Sequence, residues 1–157
     1  MSLAEYVINP YVGAGSLRFG MDSAQVAEIC GLPDAVDVDF MGDTSENRGW
    51  VTVGYKNGKV FHIGFGRGAR VIFSGRELFG EVDPIGYCES FDPDPLEWVG
   101  FLYFMKLGIR MSGFHDGDES GKTISVFCKG RYDEYREQMK PFKEEEEKEE
   151  EKSAMPE

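Results

Sequence analysis

The sequence is poor in the residues that build most catalytic and metal sites. It has two histidines, His62 and His115, and three cysteines, Cys30, Cys88 and Cys128, with no CxxC pair and no Cys/His cluster. Three widely spaced cysteines do not make a disulfide framework and are typical of reduced, buried thiols in a cytoplasmic protein. We therefore expect no metal site and no cofactor.

A long apolar run and an excess of positive charge are also missing. The longest apolar stretch near the middle is broken by Gly100, Lys106 and Gly108, so it is too short to span a membrane, and residues 1–12 do not resemble a signal peptide. Seventeen basic residues stand against 29 acidic ones, for a net charge of −12. Such a chain repels nucleic acid and anionic lipid and favours a basic protein partner. We expect a cytoplasmic protein with no nucleic-acid or membrane partner, and the oligomeric state stays open.

The residues that are present favour a strand-rich globular domain. The chain has 157 residues, of which 41% are hydrophobic and 13% aromatic, and 20 glycines supply many tight turns. We predict one domain over residues 1–142. Residues 143–157 hold eight acidic and three basic residues and nothing to bury, so they are predicted to be an acidic disordered tail.

Residues 17–33, LRFGMDSAQVAEICGLP, specify a strand, a sharp turn and a short helix. Asp22 or Ser23 can accept a hydrogen bond from a free N–H of the first helical turn, and the apolar residues of 24–30 recur at spacings of three and four. Gly31 suits the C-terminal cap and Pro33 forbids continuation of the helix. This segment predicts a helix that packs on a sheet.

The rest of the chain predicts two cycles of helix and antiparallel strands. In the first, residues 34–48 are expected to form an acidic loop, and Asn57-Gly58 is expected to join strands 50–55 and 59–65. In the second, a short helix within 76–87 precedes a long strand 98–104, strands 107–111 and 123–129, and a terminal helix 131–139. The similar order suggests a tandem duplication with repeats 11–68 and 69–130. The predicted fold class is α+β, with short helices packed on a curved antiparallel β-sheet.

Acidic turns and exposed aromatics are the candidate binding residues. We expect the charged surface for a partner to come first from the loop before Trp50 and second from the turn at 116–121, with aromatic anchors on strand 98–104. Asp116 to Gly121 also begins like a calcium loop, but Phe127 stands where the bidentate glutamate is needed, so cation binding there stays open. The predicted partner-binding residues are Asp37, Asp39, Asp43, Glu46, Trp98, Tyr103, Asp116, Asp118 and Glu119.

Residues 20–55 resemble a known repeat motif. The shared elements include Gly20-Met21, Gln25-Val26, Gly31 with Pro33, the loop residues Asp39, Phe40 and Gly42, and then Trp50 and Tyr55. With them the segment is similar to the repeat of the small lipoprotein of the outer-membrane β-barrel assembly machinery and of the β-lactamase inhibitor protein. The resemblance implies a helix packed on an antiparallel sheet. In size, charge and strand content the chain also resembles, more loosely, the immunity proteins of bacterial toxins.

Together these features favour a non-catalytic protein-binding module, in its sharpest form an immunity or inhibitor protein that neutralises a bacterial toxin or enzyme. Two alternatives stay open. One is a small hydrolase or ligand-binding enzyme that uses the sheet cleft, with His62, His115 or Cys128 in the pocket. The other is a soluble assembly or scaffold module.

Overall fold

The structure, a computed structural model, describes residues 5–39 and 42–142 and has an α+β fold. Two α-helices, two 3₁₀ helices and fourteen strands are present within these ranges. The helices are α1 (Ser23–Cys30) and α2 (Pro84–Glu89), and the 3₁₀ helices are Glu119–Gly121 and Asp133–Gln138. The strands are β1 (Glu5–Asn9), β2 (Gly13–Ala14), β3 (Leu17–Arg18), β4 (Ala35–Val38), β5 (Thr44–Arg48), β6 (Val51–Lys56), β7 (Lys59–Gly66), β8 (Arg70–Phe73), β9 (Arg76–Glu77), β10 (Leu96–Trp98), β11 (Phe101–Phe104), β12 (Ile109–Ser112), β13 (Thr123–Phe127) and β14 (Lys140–Pro141).

A nine-stranded antiparallel sheet with the order β14-β10-β11-β12-β13-β7-β6-β5-β4 dominates the fold. The meander β4–β7 and the meander β10–β13 meet at their last strands, β7 and β13. A second sheet, β3-β2-β1-β8-β9, contains one parallel pair, β1 with β8. A short helix precedes each meander, which is compatible with the predicted duplication; the repeats themselves stay a prediction.

The main core lies on one face of the nine-stranded sheet, which we call the covered face. Its register brings Val53, Ile63, Val126 and Ile109 into one row across four strands. The row belongs to a buried cluster that also contains Val26 of α1 and both Ile85 and Cys88 of α2. The helices therefore cover this face, as the sequence predicts for a helix packed on a sheet.

Two local predictions are confirmed. Helix α1 begins where the sequence predicts, because the Asp22 side chain accepts a hydrogen bond from the Gln25 N–H while the Gln25 side chain accepts one from the Asp22 N–H. The turn between β6 and β7 is Asn57-Gly58, with φ of 53° and 74°. Positive φ at both residues matches the right-handed twist of the two flanking strands.

Four local predictions are wrong. Residues 34–48 form the hairpin β4–β5 rather than a loop, and α2 begins only at Pro84 because Arg76–Glu77 pairs with β8. The expected strand 98–104 is a hairpin, since Val99 (φ 45°) and Gly100 (φ 85°) form a left-handed turn between β10 and β11. The expected terminal helix is the 3₁₀ helix Asp133–Gln138. The predicted disorder of 143–157 lies outside the described residues.

Candidate functional site

The second face of the nine-stranded sheet carries polar residues where the covered face carries aliphatic ones. Side chains alternate between faces along each strand, and residues paired across strands share a face. The register gives the row Thr52, Gly64, Ser125, Arg110 and Tyr103 from β6 to β11. A neighbouring row joins Gly54, His62 and Phe127 in the same way. Each half of the chain therefore contributes polar side chains to this face.

One end of this face is closed by aromatic packing. Tyr103 and Phe127 pack against Tyr132 and Met139, which flank the terminal 3₁₀ helix. The other end is open, and there two adjoining cavities of about 290 Å³ and about 470 Å³ share Thr52 and His62. We call the two cavities the polar groove. Its larger part is lined by Trp50, Arg110 and four hydroxyl side chains, those of Thr52, Ser112, Thr123 and Ser125.

Two glycines keep the floor of the polar groove free of side chains. A Cβ at Gly64 would lie 3.3 Å from the Ser125 Oγ and 3.4 Å from the His62 Cε1, and a Cβ at Gly54 would lie 3.3 Å from the Phe61 ring. Neither glycine is among the residues with positive φ, so the backbone does not require glycine at either position. What these glycines provide is space next to His62.

Arg110 is held in the polar groove by three neighbours. Its Nη1 donates to the Tyr132 hydroxyl at 2.8 Å, its Cζ lies 4.1 Å from the centre of the Phe101 ring, and its Nη2 is 3.3 Å from the His62 Nε2. Because a guanidinium can only donate, the His62 Nε2 accepts and the imidazole proton is on Nδ1. The Arg110 Nε is buried and has no hydrogen-bond partner within the described residues.

Arg131 approaches His62 from the smaller cavity. Its Cζ lies 4.3 Å from the centre of the Phe61 ring and 4.7 Å from that of Tyr132. Its Nε is also buried and lacks a partner among the described residues. Arg110 and Arg131 thus both lie near the Tyr132 ring, with their Cζ atoms 6.0 Å and 4.7 Å from its centre, and aromatic contacts hold both side chains.

His62 is a neutral imidazole in this environment. Burial lowers its pKa to about 3, and the positive charges of Arg110 and Arg131 act in the same direction. A neutral His62 accepts from Arg110, whereas a protonated one would face two guanidinium groups at short range. The site therefore carries its positive charge on the arginines alone.

Three of the predicted acidic residues lie on a wall of the polar groove. Asp37, Asp39 and Asp43 line the smaller cavity together with His62 and Arg131. Asp37 is exposed and its carboxylate accepts from the Asn47 side chain at 3.4 Å, while the Asp39 carboxylate accepts from the Asp43 N–H at 2.9 Å. The groove therefore has an acidic wall, formed by the aspartates, and a basic side, formed by the arginines.

Glu46 and Tyr103 do not offer the surface that the sequence predicts for them. Glu46 is 7% exposed and lies on the covered face, where its carboxylate accepts from Ser23 at 2.7 Å, Tyr55 at 2.6 Å and Arg48 at 3.1 Å. Tyr103 is 1% exposed. Neither side chain is accessible to a partner, because strand register places each of them in a packed part of the sheet surface, where polar and apolar residues alike are enclosed.

Trp98 is half-buried and stacks on the Tyr135 ring, with 4.9 Å between ring centres.

The predicted acidic residues of the turn 116–121 are exposed, but their carboxylates bond within the turn or to the residue after it. Asp118 accepts from the Ser120 hydroxyl and the Gly121 N–H, and a Glu119 carboxylate oxygen lies 2.6 Å from the Lys122 Nζ. Asp116 accepts from the Asp118 N–H at 3.2 Å. The turn explains these contacts, and a role in partner binding stays a prediction.

The three residues proposed for an enzyme pocket are not joined to one another. His62 contacts Arg110, His115 packs edge-on against Phe142, and Cys128 borders a separate cavity with Lys56 and Phe61. Burial raises the pKa of the Cys128 thiol, the opposite of what activates a nucleophile. No hydrogen bond links any two of the three within residues 5–39 and 42–142.

Sequence reasoning missed Arg110, Arg131, Gly54 and Gly64. The available signal was the polar face of strands 50–55 and 59–65, where Thr52, Gly54, His62 and Gly64 alternate with apolar residues. That face resembles an ordinary solvent-exposed strand surface. Only the pairing of β7 with β13 and of β13 with β12 brings Arg110 to His62, and this pairing is not encoded locally.

Comparison with protein-family models, with curated proteins and with solved structures gives no match. The resemblance of residues 20–55 to the assembly lipoprotein and inhibitor repeat therefore stays a prediction. In the part of the chain that the structure describes, no group of three or more His, Cys, Asp or Glu side chains could hold a metal ion. No described helix is long and apolar enough to cross a membrane.

Proposed function

We propose that this protein is a non-catalytic protein-binding module, and in its sharpest form an immunity or inhibitor protein that neutralises a toxin or enzyme. The observation that carries the proposal is the edge strand β4, which lies beside the acidic wall of the polar groove. Within the described residues β4 pairs on one side only, with β5, and all four of its residues are exposed.

A free edge of this kind offers main-chain hydrogen bonds to a strand of a partner. β4 has side chains for recognition on both faces: Val36 and Val38 are 55% and 66% exposed on one side, and Asp37 points to the groove side. Main-chain pairing supplies affinity in such complexes, and the alternating side chains supply specificity. The valines would give the partner an apolar contact and Asp37 a charged one.

The charge of the chain favours a basic partner. The net charge is −12, and Asp37, Asp39 and Asp43 concentrate carboxylates next to the edge. Long-range attraction of this kind raises the association rate more than it slows dissociation. We therefore expect a basic toxin or enzyme to be captured quickly at low salt and more slowly as salt increases.

A ligand-binding enzyme is the second candidate, because the polar groove has the size and the mixture of polar groups of a small-molecule site. The raised pKa of Cys128 and the separation of His62, His115 and Cys128 favour the protein-binding module over it. A scaffold module is the third candidate, and an abundant copurifying partner would favour it.

The test uses the purified product of a neighbouring secreted-effector gene as the partner. Replacing Asp37, Asp39 and Asp43 together by Asn keeps the hydrogen-bond acceptors and removes three charges. We expect the dissociation constant to rise by about tenfold or more, chiefly through a slower association. The matched control replaces Glu28, Asp94 and Glu137, three exposed carboxylates away from the groove, by Gln, Asn and Gln.

The control is expected to retain most of the affinity of the native protein. Equal affinity of both triple variants would contradict the proposed surface, and chemical turnover of the effector would contradict a non-catalytic role. A neighbouring metabolic operon, with no effector gene, would contradict the immunity form of the proposal.

A further inference from the structure

We propose that the polar groove binds an oxyanion, a carboxylate or phosphate group, between Arg110 and Arg131. Asp37 and Val38 of β4 line the smaller cavity too. The proposal rests on the arginines and not on strand pairing at the β4 edge, so it does not depend on the protein-binding proposal. Arg110 borders the larger cavity and Arg131 the smaller, and the two cavities join at His62 and Thr52.

The first argument is the charge that these two arginines leave uncompensated. Arg48, Arg67, Arg70 and Arg76 each have a carboxylate oxygen within 4.0 Å. No such contact reaches Arg110 or Arg131 within the described residues, although the chain contains 29 acidic residues. A guanidinium keeps its charge at any physiological pH, and these two half-buried guanidiniums would be stabilised by pairing with an anion.

The second argument is the unused donor capacity of both side chains. The Nε of Arg110 and the Nε of Arg131 are buried without a partner among the described residues. Arg110 donates from Nη1 to Tyr132 and from Nη2 to His62. The Arg131 guanidinium lies over the rings of Phe61 and Tyr132, and it makes no side-chain hydrogen bond within the described residues. A planar guanidinium matches the oxygen pair of a carboxylate or phosphate.

The third argument is that the two side chains are already held in place. Arg110 lies over the Phe101 ring and Arg131 over the Phe61 ring, and both approach Tyr132. The neutral His62 accepts from Arg110 and adds no charge of its own. Side chains that are ordered before binding lose little entropy when the ligand arrives, which raises affinity.

The fourth argument is the lining of the larger cavity. Hydroxyl groups of Thr52 and Ser125 flank Gly64, the residue whose missing side chain leaves the floor open. Ser112 and Thr123 lie 2.6 Å apart at their oxygens and already share a hydrogen bond. The Thr52 hydroxyl already donates to the Asn47 Oδ1, and the Ser112 hydroxyl donates to the Gly121 carbonyl. Thr123 is then the donor to Ser112, so among the described residues Ser125 is the lining hydroxyl that remains to donate to an anion. The volume of about 470 Å³ accommodates a small organic acid or phosphate ester.

The oxyanion could come from two sources. One is a separate small anion, and the other is a carboxylate of residues 143–157, which hold eight acidic residues. Strand β14 ends at Pro141 and is three strands from β12, about 14 Å at the usual strand spacing. Fifteen extended residues reach up to about 50 Å, so distance permits either source. The experiment separates them by comparing the native tail with a neutral one.

The experiment uses the full-length chain with Trp98 replaced by Phe, which leaves Trp50 at the groove as the only tryptophan. Inorganic phosphate is titrated against chloride at constant ionic strength while Trp50 fluorescence is recorded. A second protein carries Gln in place of all seven glutamates of 144–147 and 149–151. Saturable binding in both proteins indicates a separate anion, and binding in the neutral-tail protein alone indicates that the native tail occupies the site.

In whichever protein binds, Arg110→Met and Arg131→Met are each expected to weaken phosphate binding at least tenfold. Arg70→Met, at an exposed arginine paired with Glu5, is the matched control and is expected to bind normally. If a Met variant fails to fold by circular dichroism, Arg131→Gln and Arg110→Lys replace it, with the same expected direction. The proposal is overturned if neither tail form binds phosphate saturably, or if Arg70→Met weakens binding as much as the groove variants do.

Discussion

Arginines on the covered face and arginines in the polar groove of the same sheet have different kinds of partner. On the covered face Arg48 donates to the Gly31 carbonyl at 3.0 Å and to the Glu46 carboxylate at 3.1 Å, with both charged side chains 9% exposed. In the groove Arg110 and Arg131 have aromatic rings and a neutral histidine instead of a carboxylate within the described residues. The Arg48–Glu46 pair has no net charge, whereas neither groove arginine has a carboxylate partner of this kind among the described residues.

This difference indicates that the hydrogen bonds around Glu46 serve the fold, whereas the groove arginines are available for binding. Burial alone would raise the pKa of Glu46, but hydrogen bonds from Tyr55, Ser23 and Arg48, with the Arg48 charge, hold it below its ordinary value. The Glu46 network thus ties α1 to β5 and β6 at no net charge. In the groove no described carboxylate contacts either guanidinium, although three aspartates line the same cavity as Arg131. A guanidinium without such a contact can still pair with a ligand.

The largest expected effect tests the covered face. Glu46→Gln removes the negative charge and leaves the buried Arg48 uncompensated, so we expect the free energy of unfolding to fall by about 3 kcal/mol. Urea denaturation at pH 7.5 measures it. Glu28→Gln, at an exposed position of α1, is the control and is expected to change stability by less than about 0.5 kcal/mol. A loss below about 1 kcal/mol for Glu46→Gln would show that the network is not structural.

A smaller effect tests the groove through pH. The pKa of His62 is about 3 in the fold and 6.5 in the reference state, so below pH 6.5 the unfolded chain takes up a proton that the fold excludes. The stability linked to His62 is therefore complete above pH 6.5 and decreases as the pH falls toward 3. Between pH 7.5 and 5.5 we expect a loss of about 1 kcal/mol in the free energy of unfolding.

Urea denaturation at the two pH values measures this loss for the native protein and for two single variants. His62→Gln is expected to abolish most of it, and His115→Gln is expected to leave it in place. Glu46 does not interfere in this range, because its pKa is lowered from 4.5 and its contribution decreases only at more acidic pH. An equal pH dependence in all three proteins would mean that His62 is not held neutral by its surroundings.

The sequence predicts the α1 cap and the Asn57-Gly58 turn, and it misses several elements that depend on the rest of the fold, for identifiable reasons. The α1 cap and the Asn57-Gly58 turn depend on residues within a few positions of one another, and both are confirmed. Strand β4 was missed because its Asp37 and the flanking Asp34 and Asp39 are typical of turns, yet charged residues also protect sheet edges. The turn at Val99 was missed because valine favours strands and a left-handed valine is costly.

The arginine side of the groove could not be predicted from local pattern. His62 and Arg110 are 48 residues apart and meet through two strand pairings, β7 with β13 and β13 with β12. A shift of one residue in either pairing would move Arg110 to the covered face. The same reasoning explains Glu46, which is an exposed loop residue if 34–48 is a loop and a buried one once β5 is in register with β6.

The smallest expected effect is that of Arg131→Met, and it tests the comparison most directly when it is measured beside Arg48→Met. Arg48→Met leaves the Glu46 carboxylate buried without its ion pair, so we expect a loss of about 3 kcal/mol in the free energy of unfolding. Arg131→Met loses two cation–π contacts, worth about 0.5–1 kcal/mol each, but also removes a half-buried charge that no described carboxylate contacts. These contributions oppose each other, so we expect Arg131→Met to lie within about 0.5 kcal/mol of the native protein. Urea denaturation of both variants measures the two losses in the free energy of unfolding. A large loss for Arg131→Met would mean that Arg131 stabilises the fold, as Arg48 does, and would contradict a role in binding a ligand.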